Sequence, residues 1–64
     1  MRIRIHFMNS YGKAIIDQIN GFVPRNGDYV QISGKTYVVD TVMLIVSDVR
    51  GAEYQDIEVR MREV

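Results

Sequence analysis

The chain has 64 residues, with eight basic side chains, eight acidic side chains and no cysteine. This length allows one small domain, the formal net charge of zero gives no long-range attraction to polyanions, and the lack of cysteine excludes disulfides and thiolate sites. A hydrophobic share of 47% with 25% charged residues is typical of a globular protein. We expect one cytoplasmic domain over residues 1–64, because no signal-type apolar run follows Met1.

The first predicted element is a half-buried strand over residues 1–8, where apolar and polar residues alternate. Its apolar side holds Ile3, Ile5 and Phe7, and its polar side holds Arg2, Arg4, His6 and Met8. The next segment, 9–13, contains Asn, Ser and Gly residues, which tolerate the backbone angles of a tight reversal. A hairpin turn is therefore predicted there.

Residues 14–20 are compatible with two kinds of element. Ser10 could cap a two-turn helix that ends at Gly21, whereas the adjacent isoleucines favour an extended backbone. Two helical turns are marginal on their own, so the prediction is a second strand. In either case we expect the isoleucines of this segment to be largely buried; they are Ile15, Ile16 and Ile19.

The segment 29–39 predicts a β-hairpin that follows a turn at Asn26–Asp28. Its strands are residues 29–32 and 36–39, and the short connection between them places Gly34 at a positive φ. The side chains expected to face the core are Val30, Ile32, Tyr37 and Val39.

Five consecutive apolar residues, Val42–Val46, lie in the next predicted strand, 41–47. A strand with one face in water should alternate, so this run needs cover on both faces. Either one face meets the core while the other, with Met43 and Ile45 or with the opposite set, contacts a partner, or the strand bends and buries each face in turn. A contact surface is favoured, because so small a chain gains from burial against a partner.

The last predicted strand, 54–61, follows a turn over residues 47–51 and alternates again. Its core side holds Ile57, Val59 and Met61, and its polar side holds Asp56, Glu58, Arg60 and Arg62. About five short strands joined by tight turns indicate an all-β fold, a small antiparallel barrel that is closed or half-closed. An SH3-like barrel fits the length best, since oligonucleotide-binding folds usually need more chain.

The stretch Phe22–Val42, FVPRNGDYVQISGKTYVVDTV, resembles the pattern VP..GD.V.I.G..Y.V..V of small uncharacterised SH3-like barrel proteins from phages and prophages. The resemblance implies this fold and a phage or prophage origin, and no active site of the family maps onto it. In SH3-like barrels the first and last strands pair antiparallel. Arg2 is then expected beside Glu58, and Arg4 beside Asp56.

Catalytic chemistry has little support in the sequence. A single histidine, His6, and no cysteine exclude Cys-His chemistry and a His-rich metal cluster, and we interpret His6 as a strand-surface residue. Asp56 and Glu58 could do acid–base work, but solvated carboxylates paired to arginines explain them more simply. Phosphate-binding and calcium-loop motifs are missing. The sequence predicts a non-enzymatic protein without a metal or cofactor.

Two binding functions remain open. A protein-binding module, capable of homodimer formation, would use Met43, Ile45 and Tyr54. The alternative is binding of single-stranded nucleic acid or a nucleotide, for which the candidate residues are Tyr29, Tyr37, Arg25, Lys35 and Arg50. Neutral net charge weakens the electrostatic part of nucleic-acid binding. The prediction is therefore a protein partner, with no membrane association.

Overall fold

In the computed structural model, which describes residues 2–64, five strands form one sheet that curls into a half-barrel. The strands are β1 (Arg2–Met8), β2 (Ala14–Ile19), β3 (Tyr29–Ile32), β4 (Lys35–Ile45) and β5 (Tyr54–Glu63). Their order across the sheet is β2-β1-β5-β4-β3. All neighbours pair antiparallel except β1 and β5, which are parallel.

The prediction of an all-β fold with about five strands is confirmed, whereas the prediction of an SH3-like barrel with antiparallel strands throughout is wrong. Of the closed and half-closed forms that were expected, the closed one is not found. The β1–β5 pair is parallel, and the sheet does not close, because its edge strands β2 and β3 do not contact each other. β3 has only four residues, and they pair with the first part of β4. At the other edge of the sheet, β2 pairs with β1 alone. A groove of about 500 Å³ lies between the two edges, lined by Phe7, Gln18, Phe22 and Val30 among others.

The parallel register changes the neighbours of the β1 arginines. Arg4 lies opposite Asp56, as predicted, whereas Arg2 lies opposite Tyr54 and not opposite Glu58. The prediction for Arg2 is wrong because it assumed an antiparallel pair. Glu58 instead lies opposite His6.

The strand prediction for residues 14–20 is confirmed, since β2 pairs antiparallel with β1. Asn9 organises the turn between them: its Oδ1 accepts the backbone N–H groups of Tyr11 and Lys13, each at 2.9 Å. The predicted burial of the β2 isoleucines fails, because β2 is an edge strand. Ile15 packs against the core, but Ile16 and Ile19 are 50% and 45% exposed.

The β3–β4 hairpin is confirmed. Ser33 has a φ of 51° and Gly34 a φ of 81°, the positive pair that a two-residue type I′ turn requires. The predicted strands 36–39 and 41–47 form one long strand, β4, with a bulge between Val39 and Thr41.

The core lies on the inner face of the curled sheet. Its buried residues are Ile5, Phe7, Tyr37, Val39, Ile57, Val59 and Met61, with Ile15, Val30 and Ile32 packed against them. These residues confirm the predicted inward sides of β1, β3, β4 and β5, except that Ile3 is 38% exposed. The radius of gyration is 12.0 Å, above the roughly 10.7 Å expected for a compact chain of this length, because one end of the sheet extends beyond the core. Residues 2–64 contain no helix suited to crossing a membrane.

Candidate protein-binding edge

The second half of β4 lies at the border of the sheet. β3 pairs only with residues 35–38, and the loop before β3 extends this cover by one residue: Val39 donates its N–H to the Asp28 carbonyl at 2.9 Å, and the Gly27 N–H donates to the Val39 carbonyl at 2.8 Å. From Thr41 to Ile45, β4 pairs with β5 on one side only, as far as residues 2–64 are concerned. We call the free side of Thr41–Ile45 the β4 edge.

Apolar side chains on both faces of this segment are exposed. Val42 and Leu44 lie on the inner face, opposite buried residues of β5, and Leu44 is still 58% exposed. Met43 and Ile45 lie on the outer face, and Met43 is 49% exposed. The sequence suggested that one face lies in the core or that both faces are buried in turn, and neither kind of burial is found. The exposure expected for Met43 and Ile45 is present, and the inner face is exposed as well. β3 ends before it reaches this half of the strand, so residues 42–45 stay 38–58% exposed.

Charged residues of three strands meet on the outer face next to Ile45, whose neighbour on β5 is Asp56. Arg4 donates from Nε to Oδ1 of Asp56 at 2.8 Å. His6 bridges two carboxylates: its Nε2 lies 2.9 Å from Oδ1 of Asp56, and its Nδ1 lies 2.9 Å from Oδ1 of Asp17. The doubly protonated ring donates both bonds, and it then links β1 to β2 and β5.

The hydrogen bonds of this cluster favour its charged forms. The bond to Asp56 raises the pKa of His6, and the bond to Asp17 adds to this, while partial burial acts in the opposite direction. The bonds from Arg4 and then from His6 lower the pKa of Asp56. Both ring nitrogens of His6 are hydrogen-bonded to carboxylates of neighbouring strands. The geometry therefore suits a role in holding the three strands together.

The predicted protein-binding residues lie on one face. Met43 and Ile45 lie on the outer face of the β4 edge. Tyr54 lies on the outer face of β5, two residues from Asp56. The guanidinium carbon of Arg4 is 4.4 Å from the centroid of the Tyr54 ring, a cation–π contact that covers one side of the ring. One side of the Tyr54 ring is therefore already packed against Arg4.

Sequence reasoning missed two features of the site. It left open whether Met43 and Ile45 or the opposite set, Val42 and Leu44, would be exposed, and it did not predict that both faces are. It also treated His6 as a simple surface residue, because its two carboxylate partners come from strands whose register the sequence does not reveal.

The residues proposed for nucleic-acid binding are not brought together. Tyr37 is a core residue with 8% exposure and cannot stack on a base, whereas Tyr29 is exposed on β3. Lys35 begins β4 and Arg50 follows its other end, so β4 alone separates them by about 34 Å. Arg25 lies in the loop before β3. Lys35 and Tyr37 line one groove of about 280 Å³, which does not include Tyr29, Arg25 or Arg50.

Comparison with known proteins adds no assignment: no protein-family model matches the chain, and neither a curated protein nor a solved structure is significantly similar to it. Within residues 2–64, no three His, Asp or Glu side chains are grouped so that they could hold a metal ion. The β4 edge and its two apolar faces are therefore the features on which a function can be argued.

Proposed function

We propose that this chain is a non-enzymatic, cytoplasmic protein-binding module, of phage or prophage origin as its sequence resemblance implies, and that it binds by adding a strand of the partner to the β4 edge. The observation that carries the proposal is the combination of a free strand edge with exposed apolar side chains on both of its faces. Backbone hydrogen bonds along such an edge supply affinity, and side-chain contacts on alternate faces supply specificity.

The β4 edge is not protected in the way that natural sheet edges usually are. Charged side chains, prolines or bulges normally prevent a free edge from pairing with another chain. Residues 41–47 contain neither a charge nor a proline, and the bulge at Asp40 comes before the free segment. A strand from a partner would pair with these backbone groups and cover side chains that water now surrounds.

The outer-face cluster supports binding rather than catalysis. Asp56 is bonded to Arg4 and His6, and His6 is bonded to Asp56 and Asp17, all at hydrogen-bond distances. A general base needs a free lone pair within reach of a substrate proton, and these groups are already paired.

A selection from displayed random peptides of about nine residues tests the proposal. Selected peptides should perturb the backbone amide resonances of residues 41–45 most strongly. Leu44→Lys, which places a charge at the edge, should weaken their binding by about tenfold or more. Ile16→Lys is the matched control, because Ile16 is similarly exposed on β2, and it should change binding little.

The proposal is contradicted if selection yields no binder, or if binders perturb another surface and tolerate Leu44→Lys. A fluorescent oligothymidine tests the alternative function. Oligothymidine binding that Tyr29→Ala or Lys35→Ala weakens would favour nucleic acid over protein as the partner.

A further inference from the structure

We propose that the strand added to the β4 edge is β4 of a second copy of this chain, paired antiparallel about a two-fold axis at Met43. This inference rests on the proposed function and names its partner. The two five-stranded sheets would then continue into each other through their β4 strands.

The β4 edge is complementary to itself. A two-fold axis perpendicular to the sheet keeps inner faces next to inner faces and outer faces next to outer faces. Val42 of one copy would then lie opposite Leu44 of the second copy on the inner face, and the two Met43 side chains would meet on the outer face. Every side chain in this pairing from Val42 to Leu44 is apolar, so neither face of the joint brings a charge out of water.

The limits of the free segment determine the register. The edge begins at Thr41, because Val39 is occupied by the loop before β3 and the carbonyl of Asp40 accepts a hydrogen bond from the Asn26 side chain. Strand β4 ends at Ile45. A segment from 41 to 45 pairs completely with its own copy only when residue 43 faces residue 43.

The neighbouring symmetric register uses less of the free segment. An axis at Leu44 would pair residues 43–45 with one another, and it would place Thr41 and Val42 opposite Ser47 and Val46, which lie beyond the end of β4. The register at Met43 pairs all five residues of the segment.

A second copy is a partner whose chemistry fits both faces of the segment. Only seven of residues 2–64 are buried, and burial against a copy adds to so small a core without a further partner. The contact involves fewer residues than the 20–30 per side of a standard interface, so association should be weak and dependent on concentration. We expect dimers in the range of roughly 10 µM to 1 mM.

Disulfide cross-linking tests the register directly, since the chain has no cysteine of its own. Opposed strand residues have Cα atoms about 4.5–5.5 Å apart, which a disulfide can bridge. Met43→Cys should therefore form a covalent dimer under mild oxidation about tenfold faster than Ile16→Cys, a control of matched exposure on β2. A mixture of Thr41→Cys and Ile45→Cys chains should cross-link to each other, whereas Leu44→Cys should react more slowly than Met43→Cys.

Sedimentation of the unmodified chain gives a second readout that does not depend on a variant. Equal cross-linking of Met43→Cys and Ile16→Cys, or a monomer throughout the concentration range, would overturn the second copy as partner. If selected peptides still bind residues 41–45 in that case, the protein-binding function stands with a different partner. If the peptides also fail to bind there, both proposals are wrong.

Discussion

Arg4 of β1 lies directly opposite Asp56 of β5 in a parallel strand pair, and its Nε donates to Oδ1 of Asp56 at 2.8 Å. The same oxygen lies 2.9 Å from Nε2 of His6, so this carboxylate serves two cations from the neighbouring strand. Arg4 also lies over the ring of Tyr54. Asp56 is therefore the centre of the cluster.

Removing the Asp56 carboxylate should lower the thermal midpoint more than removing the Arg4 guanidinium. Asp56→Asn removes the carboxylate that Arg4 binds and one of the two that His6 binds, whereas Arg4→Met removes one donor and keeps the apolar stem in place. Thermal unfolding followed by circular dichroism at pH 6 measures the order. Glu58→Gln, on the same face of β5, is the control and should have a small effect, and an equal loss in all three variants would contradict a cluster centred on Asp56.

The His6 cluster predicts a dependence of stability on pH. The folded-state pKa of His6 is raised above its ordinary value of 6.5, first by Asp56 and then by Asp17. A raised pKa means that the stabilisation is fully present below the unfolded-state pKa and is lost as the pH rises through the folded-state pKa. The difference in unfolding free energy between the wild type and His6→Gln should therefore shrink as the pH rises from 6.5 through the raised pKa of folded His6. A difference that stays constant over this range would contradict the bridging role.

An NMR titration of the His6 ring separates the two carboxylates. Both Asp17→Asn and Asp56→Asn should lower the pKa of His6, and Asp56→Asn should lower it more, because the bond to Asp56 is the larger cause. An unchanged pKa in Asp56→Asn would show that the ring does not use this carboxylate in solution.

Strand direction marks the limit of what the sequence predicted for these residues. An alternating strand has the same pattern read forwards or backwards, so the polar faces of β1 and β5 were identified while their relative direction was not. Arg4 faces Asp56 in both directions, which is why this pair was predicted correctly. Arg2 changes its neighbour from Glu58 to Tyr54 when the direction changes, and its prediction failed.

Burial at the edges of the sheet was the second property that pattern could not supply. Local alternation predicted the core residues of β5 correctly, and those of β1 except Ile3, but it does not show whether a strand lies at the edge of the sheet, as β2 does. The apolar run 42–46 likewise indicated that cover was needed, and it favoured one exposed face, without revealing that both faces are exposed among residues 2–64. Whether this run is covered depends on where β3 ends. That end is set by the pairing of segments that are far apart in the sequence.

The same substitution on two neighbouring strands tests this difference in burial. Ile5 on β1 is fully buried and Ile16 on β2 is half-exposed. Ile5→Val should cost about 0.5–1.5 kcal/mol of unfolding free energy through a lost methylene and the cavity it leaves. Ile16→Val should cost less than about 0.5 kcal/mol, since Val keeps the β-branched shape and the site is solvated. Urea unfolding measures both values, and equal costs would show that β2 packs more closely than the structure indicates.

Substitutions at the two central residues of the β3–β4 turn should change the unfolding free energy in opposite directions. Ser33 and Gly34 both have positive φ, and a two-residue turn of this kind favours Asn at the first position and Gly at the second. Ser33→Asn should therefore raise the unfolding free energy by roughly 0.5 kcal/mol, because Asn adopts positive φ more readily than Ser. Gly34→Val should lower it by about 1–3 kcal/mol, since a β-branched residue resists this conformation and open space around Gly34 offers no compensating contact. Thermal and urea unfolding of the two variants against the wild type provide the comparison, and a shift of the same sign in both would mean that the hairpin forms a different turn in solution.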